Sequence, residues 1–162
     1  MMRALILLLL LTASPLWAGE VAVAPGQGTL ANAIAGANPG DVLTLIPGRY
    51  AGAVVVDRTL AIHGPVEAVI DGMGTGTVVT IDAPDVTIAG VTVTGSGLSS
   101  PDLDAGIKIL KKADRALVEG NHVLGNLHGI DVHGGRDAVV RGNTIEGTQN
   151  PRMNDRGNGI YV

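Results

Sequence analysis

The residues best equipped for chemistry fall in three short segments with one shared pattern. Gly106-Ile107-Lys108-Ile109, Gly129-Ile130-Asp131-Val132 and Gly159-Ile160-Tyr161-Val162 place Lys108, Asp131 and Tyr161 at the same step of a Gly-Ile-x-apolar run. His128 and His133 flank Asp131, Asn158 takes the place of His128 in the third segment, and Arg152 and Arg156 come shortly before it. A base and a cation gathered in this way suit proton abstraction beside a sugar carboxylate, the chemistry of a lyase or an epimerase. Glycoside hydrolysis needs two carboxylates across the scissile bond, and Asp131 is the only one in the set. A solvated strand face would carry the same residues with no chemistry at all, and no catalytic residue is assigned.

Imidazole and carboxylate also bind Cu, Zn and Ni, which makes His128, Asp131 and His133 candidate metal ligands. His122 belongs to a different face and His63 is remote in sequence. Thioether donors, which favour Cu(I), are limited to Met73 and Met153 beyond the first residues. Arg136, Arg141, Arg152 and Arg156 crowd the C-terminal end, either as ordinary solubilising charge or as a docking surface. Lys108, Asp131, Tyr161, Asn158, Arg152 and Arg156 together form the candidate binding surface.

These segments need a scaffold that brings them into line, and the sequence repeats in a way that supplies one. Val86–Gly95, Ala116–Gly125 and Ala138–Gly147 each carry apolar residues at the first, third and eighth places and glycine at the fifth and tenth. Asn121 and Asn143 are 22 residues apart, and Gly90 and Gly120 are 30 apart. Units of this length with period-2 alternation and no helical periodicity indicate a solenoid of strands. A parallel β-helix fits: alternate side chains enter a narrow interior, and successive coils stack at the ordinary strand spacing of about 4.8 Å. The longer units then contain inserted loops, Ser96–Asp104 and Thr148–Asn158, each just ahead of a Gly-Ile strand.

Gly90, Gly120 and Gly142 recur at one corner, where a positive φ or a close neighbouring coil excludes a side chain. Asn121 and Asn143 follow that glycine and are expected to hydrogen-bond to each other and to turn carbonyls, a structural role. Strands are expected at Val42–Ile46, Val54–Val56, Leu60–Ile62, Val78–Ile81, Val86–Ile88 and Val91–Val93. Leu30, Ala33, Ile34 and Ala37 have helical spacing, with Thr29 as N-cap, and predict one short helix covering the first coil. No comparable cap is visible at the other end, so the solenoid is expected to be incomplete at its C-terminus.

Composition agrees with a thin, layered core. Glycine supplies 24 of the 162 residues, phenylalanine is absent, and valine, isoleucine, leucine and alanine carry the apolar share. The net charge of −4 and the lack of a basic run argue against a nucleic-acid partner. Zero cysteine excludes disulfides, zinc ribbons and thiol nucleophiles. Arg3, the apolar run Ala4–Leu11 and Ala18 before Gly19-Glu20 describe a signal peptide over residues 1–18. An uncleaved anchor would want about 20 apolar residues, and Ser14-Pro15 interrupts this one. Residues 19–162 are then an exported β-helix with no membrane span.

The runs VEGNHVLGNLHGIDVHGG, AVVRGNTIEGT and NDRGNGIYV closely resemble the NosD family, and ANAIAGANPGDVLTLIPGRYAG with LAIHG and VIDG is similar to that family's first coils. The resemblance covers essentially all of residues 19–162 and is most specific in the C-terminal third. It implies an all-β, right-handed parallel β-helix of the pectin-lyase-like, CASH-repeat type, in the periplasm and without enzymatic activity. It further implies an ABC-type ATPase and membrane subunit as partners, nitrous-oxide reductase as client, and copper delivery or copper-centre assembly as the task, with copper the metal concerned. NosD proteins are considerably longer than this chain. No family motif assigns a ligand to a particular residue; His128, Asp131, His133 and the loop Asn154–Asn158 are chosen by geometry. The alternative is a secreted polysaccharide lyase or epimerase acting through the Lys108–Asp131–Tyr161 face.

Overall fold

The computed structural model describes residues 18–150, 152 and 156–162. The expected signal peptide, apart from Ala18, lies outside them, as do Met153, Asn154 and Asp155 of the second inserted loop. No described helix is long and apolar enough to cross a membrane.

The chain winds as a stack of coils. The first contains β1 (Glu20–Val23), β2 (Gly26–Gln27) and the helix α1 (Thr29–Gly36). Each later coil has three strands: β3 (Val42–Leu45), β4 (Gly48–Ala51) and β5 (Val54–Val56), then β6 (Ala61–His63), β7 (Ala68–Asp71) and β8 (Val79–Ile81). Next come β9 (Thr87–Ala89), β10 (Thr92–Thr94) and β11 (Ala105–Ile109), followed by β12 (Leu117–Glu119), β13 (His122–Asn126) and β14 (His128–Val132). The last described coil has β15 (Val139–Arg141), β16 (Thr144–Gly147) and β17 (Ile160–Tyr161). Equivalent strands pair in parallel, giving one six-stranded sheet from β1 to β15, a second from β2 to β16, and a five-stranded third sheet from β5 to β17.

Parallel pairing in register puts like residues on like. Leu43, Ile62, Ile88, Val118 and Val140 form one interior column of the first sheet. Tyr50, Ile70, Val93, Val123 and Ile145 form another on the second. Val54, Val79, Ile107, Ile130 and Ile160 form a third. Burial is complete or nearly so for all of these except Val140, Ile145 and Ile160 of the last described coil; each fully buried side chain stabilises the fold by about 1.5–3 kcal/mol, and branched aliphatics fill the narrow interior without the room that aromatic rings demand. Tyr50 is the exception: it is buried at the helix end of the stack, with its hydroxyl 2.6 Å from the Val23 carbonyl and 2.9 Å from that of Ile46.

The helix buries Leu30 and Ile34 against the first strands. Its N-cap is Gly28, not Thr29: Gly28 takes the left-handed backbone that turns the chain into the helix, and the Thr29 hydroxyl donates back to Gly26 O at 3.2 Å. The recurrent corner has the expected backbone, with φ of 79°, 64° and 64° at Gly90, Gly120 and Gly142. At Gly90 a side chain would also strike the Gly64 carbonyl of the neighbouring coil.

The asparagines beyond this corner form a ladder. Asn143 Oδ1 accepts from both the backbone N–H and the side-chain Nδ2 of Asn121, each at 3.0 Å. Asn121 in turn accepts from Val91 N–H and donates to Ile88 O, and Asn143 donates to Val118 O. Asn121 is fully buried, so each bond satisfies a group that water does not reach. A second ladder at the next corner was not anticipated from the sequence. Asn126 accepts from Ser96 N–H and donates to Val93 O, both at 3.0 Å.

Charged side chains link neighbouring coils along the outside. Arg115 pairs with Asp85 at 2.6 Å, Arg136 with Asp114 at 3.1 Å, and Arg141 with Glu119 at 2.7 Å. Arg136 and Arg141 therefore pair with the coil before them instead of forming a free basic patch.

Candidate functional site

The third sheet carries the residues singled out from the sequence, because both inserted loops open onto it. The first, between β10 and β11, and the second, between β16 and β17, lie one coil to either side of β14. Lys108 is in register with Asp131 and Asp131 with Tyr161, so the three stack as one column. The column continues backward through Thr80 to Val55.

Glycine determines which side chains look outward. A Cβ on Gly106 would lie 2.7 Å from Val123 Cγ1, and one on Gly129 would lie 2.5 Å from Ile145 Cγ2. Both glycines thus front the apolar interior together with the isoleucine that follows, and a side chain at either would overfill it. The residue ahead of Gly129, His128, is left beside the outer column.

Asp131 is not on a solvated face. Its side chain is 0% exposed and that of Lys108 only 14%, with Lys108 Nζ 3.5 Å from Asp131 Oδ2. The ammonium is shared: it donates to the Asp102 carbonyl of the first inserted loop at 2.9 Å. It is close enough to Asp131 for ion pairing, yet neither carboxylate oxygen has a hydrogen-bond partner. His128 is also buried, and its Nδ1 accepts from the backbone N–H of Asn158 in the second loop at 3.3 Å. The ring centroids of His128 and Tyr161 are 5.9 Å apart at 52°. His128, Asp131, Lys108, Tyr161 and the Asn158 backbone therefore come together, while the Asn158 side chain belongs to an exposed residue.

His133 does not join them. It follows the end of β14, is exposed, and uses its backbone N–H on Ile109 O. Of the candidate metal set His128, Asp131 and His133, the structure places the first two on β14 and the third beyond its end, because the five-residue spacing carries the second histidine past the strand. Among the described residues no three His, Asp or Glu side chains gather in a way that would hold a metal ion. Met73 is exposed, with its thioether taking a 3.1 Å contact from Arg49. Arg152 and Arg156 are exposed and bonded within their own loop, to Asn150, so neither is fastened to the column.

A parallel β-helix, here with a covered polar column on its third sheet, defines the class of protein. Residues 57–162 match the family described as right handed beta helix region, and the chain belongs to that family. Within it, the chain is 37% identical over 119 residues to a probable ABC transporter binding protein NosD of Pseudomonas aeruginosa, covering 74% of this chain and 28% of that protein. It is 36% identical over 115 residues to the protein of the same name from Stutzerimonas stutzeri, covering 71% and 26%. The chain thus spans about a quarter of the length of these relatives. An alginate lyase from Paenibacillus sp. str. FPU-7 superposes with a TM-score of 0.63 at 21% identity, covering 76% of this chain and 44% of that one. The PL6 family alginate lyase AlyGC superposes at 0.57 with 24% identity, covering 80% and 19%. At these identities the lyases share the fold.

Proposed function

We propose that this chain is the β-helix of a NosD-like accessory protein, exported to the periplasm, which works with an ABC-type ATPase and its membrane subunit in maturing nitrous-oxide reductase. The 37% identity over 119 residues to a protein named as an ABC transporter binding protein carries this reading. A cytoplasmic ATPase has no direct access to an exported client, and a rigid solenoid joined to the membrane subunit passes its motion across. The signal-peptide pattern in residues 1–18 supports the same compartment. Copper is cargo of the system in this proposal. The described residues serve as scaffold in this proposal.

The lyase alternative has weaker support. A carboxylate acting on a polymer must reach it, whereas Asp131 is 0% exposed. Deleting the gene in a nitrous-oxide-respiring strain tests the proposal through the reductase's copper-centre absorbance. Loss of that absorbance, restored by the gene in trans, is expected; a normal spectrum in the deletion strain overturns it. Appearance of unsaturated uronate product from alginate would favour the lyase.

A further inference from the structure

Asp41 is a buried carboxylate with no counter-charge among the described side chains. The residue is 5% exposed, and no described lysine, arginine or histidine pairs with it. Two backbone groups meet its oxygens instead: Oδ1 accepts the N–H of Gly19 and Oδ2 that of Asn38, each at 2.7 Å. The N–H of Asn38, and then that of Gly19, hold the carboxyl below the ordinary aspartate range, so it is ionised at neutral pH. A buried charge without an opposite charge is costly. Register brings Gly19 to this place: Glu20 pairs with Val42, which sets Gly19 beside Asp41, and Val42 N–H donates to Gly19 O at 2.8 Å. A Cβ at residue 19 would stand 3.2 Å from Asp41 Oδ1, a crowding that glycine avoids. Gly19 is also the first residue after the expected cut behind Ala18.

We propose that removal of residues 1–18 creates the missing counter-charge: the α-ammonium of Gly19 pairs with Asp41 and fastens the first coil to the second. Hydrolysis by an export peptidase adds water across the Ala18–Gly19 amide. The C–N bond breaks, Ala18 takes the hydroxyl and leaves as a carboxylate, and its proton ends on the freed Gly19 amine, an ammonium at neutral pH. That nitrogen already stands at hydrogen-bond distance from Oδ1, so the charge arises where the carboxylate is, with no movement of the backbone. In the uncut chain the same nitrogen is an amide and offers only a dipole. A cut one residue earlier carries the ammonium about 3.8 Å away along the chain. Processing therefore completes the first coil. The inference rests on the export part of the function proposed above and not on reductase maturation.

The test expresses the full gene in a Gram-negative host and purifies the periplasmic product, whose intact mass should place Gly19 first. Urea unfolding is then measured for this product, for one with a serine inserted between Ala18 and Gly19, and for Asp41→Asn with and without that serine. Mass spectrometry checks each first residue. The serine moves the ammonium off Asp41 yet keeps the Gly19 N–H. It should lower the folding constant about fivefold in the parent, the upper end for a partly exposed ion pair, and have no effect in Asp41→Asn. Carbamylating the terminal amine of the unfolded parent with cyanate removes its charge and, after refolding, should reproduce the loss. That arm holds even where Asp41→Asn does not fold. A first residue other than Gly19 overturns the inference together with the export reading. A Gly19 start with equal effects of the serine in both backgrounds, or with no effect of cyanate, overturns the ion pair alone.

Discussion

His128 and Tyr161 lie on different coils, yet their rings are 5.9 Å apart, and Tyr161 is the ladder partner not of His128 but of Asp131. The tyrosine thus reaches along its strand to cover a histidine whose Nδ1 is already engaged by Asn158 N–H. Imidazole ¹⁵N shifts near neutral pH should show a protonated Nε2 and an unprotonated, hydrogen-bonded Nδ1 at His128. The opposite tautomer would mean that the second inserted loop is not fastened here.

Lys108 and Asp131 should be far more sensitive to single than to joint replacement. Lys108→Met leaves an uncompensated buried carboxylate, and for a pair this covered the cost is about 3–5 kcal/mol. Replacing both, Lys108→Met with Asp131→Leu, removes the desolvated charges together and should return stability to within about 1 kcal/mol of the parent. Urea unfolding of the two single variants and the double variant measures the difference.

Asn121→Ala strips partners from Val91 N–H and Ile88 O, both served by that side chain. With about 1–3 kcal/mol for each buried group left unsatisfied, a loss of about 3 kcal/mol is expected in equilibrium unfolding. Asn143→Ala, at a half-buried position, should cost less.

Gly129→Ala drives a methyl group into the Gly159 carbonyl and to 2.5 Å from Ile145 Cγ2. Overpacking of this kind costs about 1–3 kcal/mol. Because the obstacle includes the backbone of the next coil, hydrogen exchange should rise first at Ile160 and Tyr161. Unchanged protection there would place the strain elsewhere.

Acid should weaken the fold. Asp41 is held below the ordinary aspartate range by backbone N–H groups of Asn38 and Gly19. Asp85 is lowered by its hydrogen bonds to Arg115, and Asp114 by the backbone and side chain of Arg136. A carboxyl lowered in the folded state contributes stability that is present above its unfolded value, about 3.9, and is lost as pH falls through the folded value. Thermal midpoints should therefore hold from neutrality to about pH 5 and fall below about pH 4. Asp41→Asn should flatten that acid limb.

Much of the solenoid was legible because stacking leaves a periodic trace. Gly90, Gly120 and Gly142 marked a corner since each must adopt positive φ, and Lys108, Asp131 and Tyr161 aligned because parallel register maps equal steps onto one another. The strands β4 and β7 left fainter traces: Gly48-Arg49-Tyr50-Ala51 has a single large apolar residue, and its pairing partner is set by the coil beyond it. The second ladder was hidden because its members are Ser96 and Asn126, different residue types at one corner. Burial of Asp131 could not be read from spacing, since the cover comes from loops whose path has no period. The failure of His133 to join His128 has the same origin: sequence distance along a strand is visible, but where the strand ends depends on the next coil.

Both inserted loops enter at the same corner, ahead of the third sheet. Lengthening a coil there leaves the pairing of the first two sheets in step, so that the added residues move no interior column. One side of the rod is in effect a margin in which text can be added without re-spacing the lines. Two proteins with the same interior can then differ wholly in what they hold against that side, and a change of cargo or client demands new loops and not a new fold.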